Sequence, residues 1–240
     1  MKNFKEKSPI VFEIILFIIG LLLAGVIMNV VSLSGCDSAT ANSIARILIA
    51  FVFLAIFHKC FKFGSSFKGL VPMLPALLFA IYKIPYHFIS GGGSIIAITV
   101  PVLLIGFAPA IFEEVLFRGI FISNLKKKYD KPVTIVLISA VVFSLVHLTN
   151  IVGMSMATVL VQTFLAFAVG IVLGAVYLYT KDIVSVIIAH FLIDVVSGIF
   201  PGGEATPYYF LAIFVAICCF EIIYGLLLVR KITSSTEQKR

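Results

Sequence analysis

Six ionisable side chains stand in apolar surroundings: Glu113, Glu114, Arg118, His147, His190 and Asp194. On a helix, the adjacent Glu113 and Glu114 point about 100° apart, so they cannot share one role on one face. Glu114 and Arg118 are spaced i,i+4, where an ion pair forms naturally and offsets part of the cost of both charges. Glu113 is left as the carboxylate without a local partner. His190 and Asp194 are also spaced i,i+4, and an aspartate there can accept an imidazole N–H and fix its tautomer. A carboxylate and an imidazole together can position and deprotonate water. A second imidazole can donate to a developing oxyanion. Two histidines and a glutamate are equally a ligand set that catalytic zinc accepts, with a fourth position for water. In both cases the chemistry is hydrolysis, on a substrate that arrives from the membrane or its inner face. The chain has no P-loop, haem motif or dinucleotide fingerprint, and Ser144 and Ser197 lack a nucleophile motif.

The elements that hold these groups must be membrane helices. Of 240 residues, 61% are hydrophobic and 12% charged, against about 25% charged in soluble domains. Mean hydropathy is +1.18. Eight apolar segments are each long enough for a core of about 30 Å: Ile10–Leu33, Ile44–Phe61, Leu70–Ser90, Ser94–Leu125, Pro132–Leu148, Met156–Thr180, Ile183–Phe200 and Tyr208–Val229. The third carries Pro72, Pro75, Pro85, Lys83 and His87 and is expected to be kinked or partly interfacial.

With the N-terminus inside, eight crossings place 15 of the 18 basic residues on the inner side. These are Lys2, Lys5 and Lys7; Lys59, Lys62 and Lys68; Lys126, Lys127, Lys128 and Lys131; Lys181; and Arg230, Lys231, Lys239 and Arg240. Arg46, Lys83 and Arg118 are the exceptions, and the outer loops carry Asp37 and Glu204. The expected fold is therefore all-α, a polytopic membrane protein of about eight transmembrane helices with both termini cytoplasmic. Residues 1–240 read as one integral domain in the plasma membrane, without internal repeat. The +7 net charge lies between apolar runs and not on one folded face, which points away from nucleic acid.

Depth brings the polar groups together. At about 1.5 Å per residue, Glu113 lies about 20 Å from Lys126, and His147 about 24 Å from Lys131. His190 and Asp194 lie about 14 Å and about 20 Å from Lys181. Helices running in both directions thus place their charges in one mid-bilayer slab, as a shared site requires. Glu13, His58 and His87 lie near helix ends and are expected to be interfacial, and Glu221 to be a structural mid-helix carboxylate. Cys60, Cys218 and Cys219 read as apolar filler. Leu33-Ser34-Gly35-Cys36 resembles a lipoprotein processing site, but the apolar run before it is too long for a signal segment.

Glu113-Glu114-x-x-x-Arg118, Phe143-x-x-x-His147 and His190-x-x-x-Asp194, in this order on three membrane helices, resemble the CAAX-protease and bacteriocin-processing family. These are the Abi or type II CAAX prenyl endopeptidases. The resemblance covers residues 101–196, the family core. It implies an intramembrane metallo- or glutamate-type endopeptidase acting on a peptide or lipidated protein within the lipid bilayer. Glu113 and His147 would activate water, while His190 and residue 194 would stabilise the oxyanion, with Glu114, Arg118 and Phe143 in support. A divalent metal such as zinc, if used, would sit on Glu113, His147 and His190. Asp194 departs from the asparagine of well-understood members, since an ionised aspartate cannot donate. The small size and short loops resemble the bacterial branch, which implies bacteriocin maturation or self-immunity. Two other classes compete: a non-catalytic membrane immunity or regulatory protein, and a proton-coupled transporter using the same buried groups.

Overall fold

The computed structural model describes residues 4–61, 69–202 and 208–237, with side chains described as far as Ile232. Lys2, Lys62, Lys68, Glu204, Lys239 and Arg240, used above for topology, lie outside the described residues. The described chain is all-helical. Its long helices are α1 (Pro9–Ser32), α2 (Ser38–Ile56), α3 (Leu70–Ser90), α4 (Val100–Leu125), α5 (Pro132–Val152), α6 (Met156–Thr180), α7 (Ile183–Ile199) and α8 (Tyr208–Glu237). Seven are long and apolar enough to cross a membrane. The eighth, α7, has 17 residues and measures about 26 Å, a little under the hydrocarbon core.

Helix ends follow local chemistry that hydropathy does not register. The second segment was expected from Ile44, yet α2 starts at Ser38, because Asp37 caps it by accepting the Thr40 N–H at 2.9 Å. The fourth was expected from Ser94, yet α4 starts at Val100 with Pro101 in its first turn. Within the preceding loop, the Ile96 N–H donates to the Ile199 carbonyl at 3.0 Å. The expected irregularity in α3 is a tight 3-10 turn at Leu74–Leu77, with Pro85 inside the regular helix that follows. α7 is capped by Asp182, which accepts the N–H groups of Val184 and Ser185 and the Ser185 hydroxyl.

The core is built around α4 and α6. From Ala110 to Ile122 nearly every α4 side chain is buried, as is α6 from Ala168 to Leu178. Peripheral helices turn large apolar residues outward, for example Leu22, Val26, Ile223 and Leu227, as lipid contact requires. The close fit of α4 on α7 depends on Gly106: a Cβ there would lie 2.6 Å from Val195 Cγ2 and 3.1 Å from the Val195 nitrogen.

The basic ends meet on one face, as the charge pattern requires. Lys127 pairs with Glu6 at 3.2 Å, Lys128 donates to the Lys7 carbonyl at 2.9 Å, and Lys231 lies over Tyr179. N-terminal, 126–131 and C-terminal residues therefore share one side.

Two sequence expectations change. His87 is not interfacial but 1% exposed, and its Nδ1–H donates to the Pro201 carbonyl at 2.7 Å, tying α3 to the end of α7. Glu13 is also fully buried, because its spacing places it on the α1 stripe of Leu16, Phe17 and Gly20 that packs inward. His58 is exposed, and Glu221 is buried in mid-helix, as expected.

Gly106→Val is expected to force α4 and α7 apart and to destabilise the protein by about 1–3 kcal/mol, read as a lower Tm in detergent. Unchanged Tm would mean that the close approach carries no weight. Asp182→Ala is expected to cost about 1 kcal/mol in the same measurement.

Candidate active site

The site is assembled where α4, α5 and α7 meet. α4 presents Glu113 and Glu114 and then widens, since Val115–Phe121 wind as a π-helix. Such turns recur at functional sites. Glu114 and Arg118 form the i,i+4 pair that their spacing predicts, at 2.9 Å, and both are fully buried. Arg118 also lies 4.1 Å from the centre of the Phe143 ring and reaches the Gly170 carbonyl at 3.5 Å.

Glu114 does more than pair locally. The oxygen that accepts from Arg118 also accepts from His190 Nδ1 at 2.8 Å. Arg118 keeps that carboxylate an acceptor, so His190 places its proton on Nδ1 and turns Nε2 into the site. This corrects the sequence reading of the histidine's partner: Asp194 faces Nε2 at a longer 3.5 Å, and Glu114, from another helix, holds Nδ1.

His147 is oriented by backbone. It is the first residue past the regular part of α5, and its Nδ1 meets the Phe143 carbonyl at 2.8 Å. A carbonyl can only accept, so Nδ1 carries the proton and Nε2 a free lone pair. Phe143 packs edge-on against both rings, at 5.0 Å from His147 and 6.0 Å from His190.

Between the two imidazoles lies Glu113. Its Oε2 is 3.9 Å from His147 Nε2 and 4.0 Å from His190 Nε2, and has no hydrogen-bond partner among the described residues. Glu113, His147, Arg46, Phe17, Leu21 and Asn150 line a cavity of about 30 Å³, enough for a water molecule. A water within hydrogen-bond reach of two groups at about 2.8 Å each, on arms near a right angle, sets them about 4 Å apart. The donor types equally suit a divalent metal. Their spacing is wider than the roughly 3.3 Å between ligands of tetrahedral zinc, and among the described residues no three His, Cys, Asp or Glu side chains gather tightly enough to hold one.

The structure therefore brings Glu113, Glu114, Arg118, Phe143, His147, His190 and Asp194 into one cluster. The cavity flanks His147–Asn150, in the tight last turns of α5, at the end remote from Lys131. Arg46 is the cavity residue that sequence reasoning passed over. Its signal was a base in an apolar span that the charge asymmetry did not absorb.

The family model described as type II CAAX prenyl endopeptidase, Rce1-like, matches residues 95–196, the segment from the loop before α4 to the Asp194 turn of α7. No curated protein and no solved structure matches the chain.

Breaking the buried pair on one side is expected to be costly. Arg118→Met should destabilise the protein by about 3–5 kcal/mol by leaving Glu114 uncompensated, whereas Glu114→Gln with Arg118→Met should cost less than the sum of the single changes. Additive losses of Tm in detergent would show that the two groups are not coupled.

Proposed function

We propose, on the premise that residues 95–196 belong to the type II CAAX prenyl endopeptidase family, that this multi-pass membrane protein is an endopeptidase whose Glu113 and His147 activate a water. The observation that carries the reading is the 3.9 Å separation of Glu113 Oε2 and His147 Nε2 over a cavity of one water's size. The water donates one hydrogen to each atom. As its oxygen attacks the peptide carbonyl carbon, Glu113 takes the proton. Negative charge then develops on the carbonyl oxygen. His190, when doubly protonated, donates to it from Nε2 while Nδ1–H stays on Glu114. The proton held by Glu113 passes to the departing amine as the C–N bond breaks. Asp194, as a carboxylate, cannot donate to the oxyanion and acts through His190, since its negative charge 3.5 Å from Nε2 favours the doubly protonated ring.

A metal-dependent route is the second reading, favoured by the donor types. Glu113, His147 and His190 carry the donor types for the ion and would have to draw closer to hold it, and zinc there would acidify the bound water. The substrate is a peptide or lipidated protein reached within the bilayer. The short loops support a role in bacteriocin maturation or self-immunity.

Glu113→Gln, His147→Ala and His190→Ala are each expected to lower peptide cleavage by at least about 10²-fold while the proteins still insert and fold, with a lower Tm for His190→Ala, which gives up the bond to Glu114. Full activity of Glu113→Gln would sink the reading. Cleavage is expected to survive chelation. Loss in EDTA with recovery on added Zn²⁺ would move the assignment to the metal type.

A further inference from the structure

A second and larger cavity, of about 260 Å³, lies on the inner face, where α4, α5, α6 and α8 end or begin. It is about 20 Å along α4 from Glu113 and shares no residue with the cavity there. Its rim carries Lys126, just past the end of α4, and Lys181, just past the end of α6. Its floor is apolar: Ile135 and Leu178 are buried about one turn deeper, with Ile232 of α8 beside them. Lys181 holds a left-handed backbone, φ +59°, the one non-glycine residue with positive φ among the described residues. Glycine would adopt that conformation without strain. The lysine kept there turns back to donate to the Leu178 carbonyl, which holds its side chain beside the cavity. Helix ends favour cations by themselves. That accounts for lysines at solvated ends, and not for a cavity between them with an apolar floor. Asp130 is the acid of the lining, against two lysines, and Lys127, Lys128, Lys131 and Lys231 stand around it on the same face.

We propose that this cavity binds an anionic phospholipid of the inner leaflet, with its phosphate between Lys126 and Lys181 and the start of an acyl chain against Ile135, Leu178 and Ile232. Basic pockets between membrane helices on the inner side suit such headgroups, because charge and depth match together. Each ammonium carries three N–H donors, so one already engaged within the protein still donates to a phosphate oxygen. Tyr129 lines the same cavity and brings an amphipathic ring to headgroup level. Asp130 opposes the phosphate and limits the preference. Occupancy joins the inner ends of four helices, α4 among them, and so steadies the helix that carries Glu113 and Glu114. The site is independent of the cleavage chemistry.

Native mass spectrometry of the full chain, released from a neutral detergent, reads lipid binding directly. Titrated with phosphatidylglycerol or phosphatidylcholine of the same acyl chains, the protein is expected to bind phosphatidylglycerol about tenfold or more tightly. Lys126→Gln with Lys181→Gln should bring the two lipids level. Lys127→Gln with Lys128→Gln removes the same charge from the same face outside the cavity and should leave the preference in place. Asp130→Asn should raise the preference, and it keeps the test decisive should loss of the cavity lysines unfold the chain. Soluble glycerol 3-phosphate offers the same phosphate without the apolar stem. It should fail to displace the lipid at equal concentration, and displacement would give the cavity to a soluble phosphate and overturn the lipid. Equal affinity for the two lipids, equal weakening by the two double variants, or an unchanged or lower preference in Asp130→Asn also overturns the proposal.

Discussion

A single carboxylate oxygen, Glu114 Oε1, accepts from Arg118 on its own helix and from His190 on another, at 2.9 and 2.8 Å. In a bilayer core each of these groups alone is expensive, and together they offset one another. The pairing fixes more than charge. It sets the rotation and height of α7 against α4, and with it the direction of His190 Nε2. Gly106 permits the approach by letting Val195 sit against the α4 backbone. Phe143 closes the arrangement from α5, with its ring under Arg118 and against both imidazoles and its carbonyl on His147.

Much of this was legible in the sequence because membranes simplify the problem. Runs of apolar residues marked the helices, and the basic loops marked one face, which the Lys127–Glu6 and Lys231–Tyr179 contacts bring together. Depth counting was enough to place Glu113, His147 and His190 in one slab, since a helix advances a fixed distance per residue. The i,i+4 rule gave the Glu114–Arg118 pair directly.

What stayed illegible was rotation about the helix axes. The Glu114–His190 bond joins residues 76 apart, and no local spacing rule reaches that far, so the nearer Asp194 seemed the natural partner. The same gap hid Arg46, whose presence in the cavity depends on how α2 turns toward α4. His87 and Glu13 were misplaced for a related reason. Distance from a helix end was allowed to stand for exposure, while packing against Pro201 and along the α1 stripe buried them.

The widened winding over Val115–Phe121 has a consequence of its own. A π turn accommodates an extra residue within an otherwise α-helical rod. Taking one residue out of this stretch would let α4 relax to ordinary winding while the segments on either side kept nearly their present aim, because the extra residue is what the wide turn absorbs. The change would fall on the stretch itself: loss of Val115, Leu116 or Phe117 shortens the spacing of Glu114 and Arg118 from four residues to three. The buried pair is therefore encoded partly in chain length, as a count of residues, so that deletion of an apolar residue can undo what the charged side chains themselves specify.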